Sequence, residues 1–269
     1  MVCMTDRIPA GASLSAQDIA DLIDHALLKP ELTPDHVRDS VVDLAGQRIW
    51  SVCVRPGDVR LAREAVDTVE GSPTRVCTVI GFPHGTTSTA AKVAESRQAL
   101  ADGATELDMV LNIGALIGGH EEQVQDDIAA VVDVGHEAGA LVKVIFETSL
   151  LEDEHKESAC RLSEAAGADY VKTSTGFAGG GATLPDVRLM REHCSGAVRI
   201  KASGGVRDVD TALAMLAEGV TRLGTSSTDA LLREAHEREE AGTLVVPEAD
   251  HRAGEDLPSG ARYPVSDTY

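Results

Sequence analysis

Eight short β-rich runs recur along the chain, each separated from the next by a stretch of helical periodicity, and this alternation restricts the fold to a parallel sheet covered by helices. The runs are LIDHALL, IWSVCV, RVCTVIGF, ELDMVLN, LVKVIFET, YVKTSTG, VRIKASGG and TRLGTSS. Eight strands close a (β/α)8 TIM barrel, and the chain's 269 residues suit the roughly 250 that such a barrel takes. Helix start signals sit between the runs: Thr33 precedes Pro34, and Thr183 stands three residues before Asp186 in capping-box spacing. Gly46, Gly103, Gly139 and Gly167 follow helical stretches and precede strands, where a left-handed C-terminal cap is expected. No low-complexity linker divides the chain. The expected organisation is an N-terminal extension over residues 1–13, one barrel domain over 14–240, and a tail over 241–269. Composition favours disorder for the tail, with a lid over the active site as the functional alternative.

Three of the six lysines, Lys143, Lys172 and Lys201, lie inside apolar, β-branched runs, where an uncompensated ammonium costs several kcal/mol. Side chains two apart on a strand share a face, so Glu106, Asp108, Val110 and Asn112 oppose Leu107, Met109 and Leu111. Lys143 and Glu147 likewise oppose Val142, Val144 and Phe146, and Lys201 and Ser203 oppose Ile200 and Ala202. Helices cover a barrel's outside, so the apolar parity faces them and Asp108, Lys143, Lys172 and Lys201 converge inside. Cationic neighbours and desolvation are expected to lower the pKa of Lys172 and leave free amine for attack on a carbonyl, with Lys143 in support. Asp108 is expected to hold Lys201 protonated as a proton donor. A purely structural ion-pair network is the competing explanation, but it gains little over apolar packing and leaves the clustering on strands four to seven unexplained.

Gly204 and Gly205, with Val206, Arg207 and Asp208, are expected to open one helix, and Gly224, Thr225, Ser226 and Ser227 another. Glycines admit an anion to the backbone, and barrels commonly hold phosphate after strands seven and eight, so a phosphate ester is the expected ligand, with Gly176 joining the pocket. Asp24 is expected to line the pocket mouth or cap a helix. The histidines, His25 and His84 among them, show no metal-binding spacing and are expected to be surface or structural. Cys53 and Cys77 are expected as small buried hydrophobes, and the chemistry calls for no cofactor or metal.

A net charge of -20 argues against nucleic acid and anionic membranes as partners. Five cysteines without a C-x-x-C pair fit reduced thiols, and no run has signal or membrane-spanning length, so a cytoplasmic location is expected. A small phosphorylated sugar is the expected partner, with a homodimer as the assembly considered.

The segments LIDHALLKP, SVCVRP, ELDMVLNIGAL, LVKVIFETSLL, YVKTSTGF and IKASGGVR, in this order, resemble the strand motifs of the deoxyribose-phosphate aldolases, a family of class I aldolases. The resemblance spans nearly the whole chain. It implies Lys172 as Schiff-base nucleophile, Lys201 as its cationic partner and Asp108 as proton-relay carboxylate. It also implies phosphate binding by the Gly204–Gly205 loop with Gly224, Ser226 and Ser227, and a C-terminal tyrosine, here Tyr269, that assists proton transfer. The implied reaction is reversible cleavage of 2-deoxy-D-ribose 5-phosphate to D-glyceraldehyde 3-phosphate and acetaldehyde, in deoxyribose catabolism. The rivals are another lysine-dependent barrel aldolase with a different donor and a catalytically silent sugar-phosphate-binding barrel.

Overall fold

The computed structural model describes residues 7–249. Eight parallel strands pair in sequence order and close with the last beside the first. They are β1 (Ile23–Leu27), β2 (Ser51–Val54), β3 (Arg75–Ile80), β4 (Glu106–Val110), β5 (Leu141–Ile145), β6 (Tyr170–Lys172), β7 (Arg199–Ser203) and β8 (Arg222–Thr225). Each expected run supplies one strand, trimmed at one or both ends. The described α-helices are α1 (Ala16–Ala20), α2 (Pro34–Gly46), α3 (Val59–Asp67), α4 (Thr89–Ala101), α5 (Ile113–Ile117), α6 (Glu121–Glu137), α7 (Asp153–Ala165), α8 (Leu184–His193), α9 (Val209–Ala217) and α10 (Thr228–Glu240). None is long and apolar enough to cross a membrane.

The parity rule holds. Leu107, Met109, Val142, Val144, Ile200 and Ala202 join one apolar core with helix residues such as Val124, Val131 and Leu213. Burying each such valine or leucine contributes roughly 1.5–3 kcal/mol, which leaves the opposite parity free to carry charge at the barrel axis. Packing over β5 is close: a Cβ on Gly135 of α6 would stand 2.4 Å from Val142 Cγ2.

The caps follow the sequence with two differences. Thr33 and Thr183 accept from the backbone N–H groups of His36 and Asp186, at 3.3 and 3.2 Å. The Asp186 carboxylate, however, is drawn to Lys156 Nζ at 2.8 Å, and a complete reciprocal box forms instead at Ser15 and Asp18 ahead of α1. Gly103, Gly139 and Gly167 adopt left-handed backbone as expected, whereas α2 runs through Gly46 and the left-handed residue is Arg48, with φ 57°. Its N–H bonds Ala45 O at 3.2 Å and its guanidinium bonds Gly71 O at 2.9 Å, offsetting the roughly 1–2 kcal/mol that a side chain costs in that conformation.

The start of the stretch assigned to a tail is packed: Leu244 and Val246 are 2% and 1% exposed. Backbone bonds join residues 11–14 to 244–246, with Ser13 opposite Val245. Tyr269 lies outside the described residues.

One buried ion pair stands apart from the barrel axis. Lys92 of α4, fully buried, donates to Asp127 Oδ2 of α6 at 2.5 Å and to Val110 O at the end of β4 at 2.8 Å. Removing one partner strands the other charge, so Asp127→Asn is expected to destabilise the fold by about 3–5 kcal/mol. Urea unfolding measures this, and Lys92→Met/Asp127→Leu is expected to recover most of the loss.

Candidate active site

Asp108 on β4 is the hub of the barrel axis. Its Oδ1 accepts from Lys143 Nζ at 2.8 Å, and its Oδ2 accepts from both Lys172 at 2.8 Å and Lys201 at 2.7 Å. Three strands therefore deliver an ammonium to one carboxylate. The register explains how: Asp108 lies opposite Lys143, and Lys172 lies opposite Lys201. Lys143 lies opposite Tyr170, two residues before Lys172 on the neighbouring strand, and reaches Asp108 from beneath Lys172.

Two further carboxylates complete the network. Asp24 neither caps a helix nor stands at a mouth; it is 1% exposed on the pocket floor and accepts from Lys201 Nζ at 2.5 Å and from Ser51 Oγ at 2.7 Å. Glu106 Oε2 lies 2.5 Å from Lys143 Nζ, and Glu106 Oε1 accepts from Trp50 Nε1 at 2.6 Å. From the other side comes Arg222 on β8, 3.1 Å from Asp24 Oδ1 and 3.6 Å from Glu106 Oε2. Neither Glu106 as an ion-pair partner nor Arg222 is foreseen from the strand motifs, although Arg222 has the same inward parity as Gly224 on β8. Applying the parity rule to that strand would have found it.

Burial opposes the charge on Asp108, but the ammonium groups of Lys143, Lys172 and Lys201 outweigh it and hold its carboxyl well below the usual range. Asp24 is lowered in the same way: burial resists, and Lys201, Lys143 and Arg222 prevail. Lys201 is raised against its own burial by Asp108 and Asp24, as expected for a lysine kept protonated, and Lys143 is likewise raised well above its ordinary value against its burial by Asp108 and Glu106.

Above this floor opens a cavity of about 570 Å³ lined by Lys172, Lys201, Asp24, Gly176, Gly204, Gly205, Gly224 and Ser226. Gly176, Gly204 and Gly205 all have positive φ, and a Cβ on Gly204 would stand 2.9 Å from Gly181 Cα. Two expectations change here. The helix after β7 begins only at Val209, capped by Asp208, so Gly204, Gly205 and Arg207 form a loop ahead of it, with Arg207 at the pocket wall. Gly224 lies within β8, where a Cβ would fall 1.9 Å from Ser203 Oγ and 3.3 Å from Lys201 Cε; it makes room for those side chains. Ser227 does not line the cavity; it precedes α10 and its N–H bonds Thr225 Oγ1 at 2.9 Å.

Groups around the cavity take roles that the strand motifs do not foresee. Glu147, with left-handed backbone after β5, accepts from the N–H and hydroxyl of Thr175 and so ties the loop after Lys172 to β5. Burial raises its carboxyl, against the Thr175 bonds and Lys172. Phe177 packs edge-on against Phe82 at the mouth, with centroids 5.2 Å apart. Cys53 and Cys77 are buried as expected, yet Cys53 lines the pocket and Cys77 Sγ lies 3.3 Å from Asp108 Oδ1. These thiols and Asp108 lie within 4.8 Å of one another, the spacing of a metal site, but a cation there would face three ammoniums already bonded to that carboxylate.

His25 on β1 also lines the cavity and bonds Thr228 Oγ1 through Nδ1 at 2.8 Å. Burial lowers its pKa from 6.5 to about 4, against the pull of Asp229. The folded state then binds fewer protons than the unfolded state between those values, so this stability is full above pH 6.5 and is lost as pH falls toward 4. In urea unfolding at a series of pH values, His25→Gln is expected to lose less stability than wild type across that window.

The sequence profile described as DeoC/LacD family aldolase matches residues 19–227. A deoxyribose-phosphate aldolase of Oceanobacillus iheyensis is 48% identical over 215 residues, covering 80% of this chain and 96% of that protein. A solved structure, "QR15, an Aldolase", superposes with a TM-score of 0.78 at 38% identity, covering 83% of this chain and 98% of its own. A tetrameric deoxyribose phosphate aldolase from Aeropyrum pernix has a TM-score of 0.73 at 32% identity, covering 81% of this chain and 91% of its own.

Proposed function

Because the chain belongs to the DeoC/LacD family of aldolases, we propose that the lysines and carboxylates of the barrel axis are the machinery of the family's carbon–carbon bond cleavage. The reaction is the reversible cleavage of 2-deoxy-D-ribose 5-phosphate to D-glyceraldehyde 3-phosphate and acetaldehyde, an aldehyde-lyase step in deoxyribose catabolism. The assignment of roles rests on one observation above all. Asp108 Oδ2 accepts from Lys172 and Lys201 together, which gives a proton a two-bond path between the lysine at the cavity and the lysine held charged beneath it.

Lys172, 4% exposed and facing the cavity, is the nucleophile. Its amine adds to the C1 aldehyde of the open-chain sugar, and protonation of the carbinolamine oxygen releases water and leaves an iminium. Acetaldehyde takes two carbons, so the C2–C3 bond breaks: the C3 hydroxyl gives up its proton, the C2–C3 electron pair moves toward the iminium nitrogen, and glyceraldehyde phosphate departs from an enamine. Protonation at C2 and hydrolysis then free acetaldehyde and the amine. Asp108, held ionised, accepts protons in this sequence, and Lys201 donates them. Lys143 and Asp24 support the pair by holding Asp108 and Lys201 in place.

The phosphate is assigned to the rim, to the backbone of Gly176, Gly204 and Gly205 and to Ser226, with Arg207 as a countercharge; Gly224 shapes the floor and Ser227 stays a more remote contributor. Tyr269 is assigned to proton transfer at C2 by family resemblance, and the chain is read as a single catalytic domain. A homodimer in the cytoplasm is the proposed setting. The odd count of five cysteines supports a reducing compartment, and light scattering distinguishes a dimer from the tetramer described for the Aeropyrum pernix relative.

Lys172→Ala is expected to lower kcat/KM by at least about four orders of magnitude with the fold intact, and Lys201→Leu to lose most turnover while still binding the sugar phosphate. Borohydride reduction with acetaldehyde, followed by peptide mass spectrometry, is expected to place a single ethyl group on Lys172; an adduct elsewhere would refute that role. For Tyr269→Phe, steady-state kinetics is expected to show lower kcat at little-changed KM.

A further inference from the structure

Arg222 takes part in no step of the reaction, yet it is a guanidinium at 2% exposure inside the active-site barrel. Its NH1 lies 3.1 Å from Asp24 Oδ1 and 3.6 Å from Glu106 Oε2, and its NH2 donates to Tyr170 Oη at 3.1 Å. Its plane stacks on Trp50, with Cζ 3.9 Å from the ring centroid, and Arg75 covers the same ring at 3.8 Å. These contacts pin the group beneath the lysines, and a guanidinium does not give up its proton in proteins. It is a permanent charge in a fixed place.

The ion pairs joined through Asp24, Glu106 and Asp108 bring four cations to three carboxylates: Lys143, Lys172, Lys201 and Arg222. With every group ionised the network carries one positive charge in excess. It becomes neutral when one lysine releases a proton. Lys143 lies within ion-pair reach of three carboxylates, Asp108, Glu106 and Asp24, and Lys201 of two, Asp108 and Asp24, whereas Lys172 has a carboxylate contact to Asp108 alone and faces the cavity.

We infer that Arg222 is a positioning residue that sets the working pH of this site: by claiming Asp24 and Glu106 from below, it leaves the carboxylates one charge short of the cations, so the pocket presents a free amine. Of the remaining groups around the cavity, Arg207 is a cation at the wall that joins none of these ion pairs, and the others carry no excess positive charge. Burial, together with the bond from Cys53 on β2, pushes the Cys77 thiol on β3 up, and the same bond draws Cys53 down from its ordinary value. Glu147, after β5, is committed to the N–H and hydroxyl of Thr175, both neutral donors. Tyr170 on β6 meets Arg222 through its hydroxyl.

This inference rests on Lys172 as nucleophile, and its test separates the two. The acidic limb of kcat/KM against pH is measured together with cyanoborohydride trapping of acetaldehyde at each pH, read by peptide mass spectrometry. Arg222→Met removes the excess charge and is expected to move the limb upward by about one pH unit, while Arg222→Lys leaves it near wild type. Glu106→Gln adds to the excess and is expected to move the limb downward, and Arg222→Met/Glu106→Gln to return it close to wild type. Thermal melts establish that each variant is folded; if Arg222→Met does not fold, the downward shift of Glu106→Gln decides. A limb unmoved in folded Arg222→Met, or unmoved or raised in Glu106→Gln, overturns the inference while an adduct on Lys172 keeps the nucleophile. An adduct on another lysine overturns the nucleophile assignment itself.

Discussion

Everything at the barrel axis depends on one carboxylate shared among three lysine side chains. Asp108 is fully buried and could not carry charge there alone; nor could Lys143, Lys172 or Lys201. Each group is tolerable only because the others are present. A buried network of this kind gains little over apolar packing, so its stability must come from elsewhere in the molecule. It comes from the outward parity of the same strands, where Leu107, Met109, Val142 and Val144 pack into the helical layer. The barrel thus separates two tasks by side-chain direction, with cohesion outside and charge inside.

The floor beneath the network is also polar. Arg75 and Arg222 hold Trp50 between them, Arg199 stacks on Tyr170, and Trp50 donates to Glu106. Aromatic faces accept cations without adding countercharge, which fills the barrel end with charge that no further carboxylate balances. The rim is built on different terms. Gly176, Gly204 and Gly205 bring backbone to the cavity surface in conformations that side chains resist, and Glu147 ties the loop behind Lys172 to the neighbouring strand. A chain with net charge -20 can draw in a phosphate ester only through a local reversal of sign, and Lys172, Lys201 and Arg207 provide it within one cavity.

Much of this was legible in the sequence. Strand count and order follow from eight β-rich runs between capped helices, and the convergence of Asp108, Lys143, Lys172 and Lys201 follows from side-chain alternation, because a one-residue slip would turn every one of those charges out into the apolar helical layer. What escaped did so for identifiable reasons. Asp24 looked like a mouth or cap residue because its partners Lys201 and Arg222 lie more than 170 positions away, across the closure of β8 onto β1. Gly224 was placed at the pocket by its motif, but the crowding by Ser203 and Lys201 from β7 that admits no side chain there was not legible. The cap at Gly46 failed because helix length is decided by packing: α2 continues until Arg48 can bond Gly71 O.

The sequence by itself determined the barrel and the inward direction of its charges, because periodicity and strand parity are local properties that no distant contact can reverse. Only the tertiary structure decided the pairing: which oxygen of Asp108 meets which lysine, that Arg222 closes the network from below, and that Leu244 and Val246 belong to the core. Those outcomes depend on strand stagger and barrel closure, which set neighbours across the axis at distances that no spacing along the chain encodes.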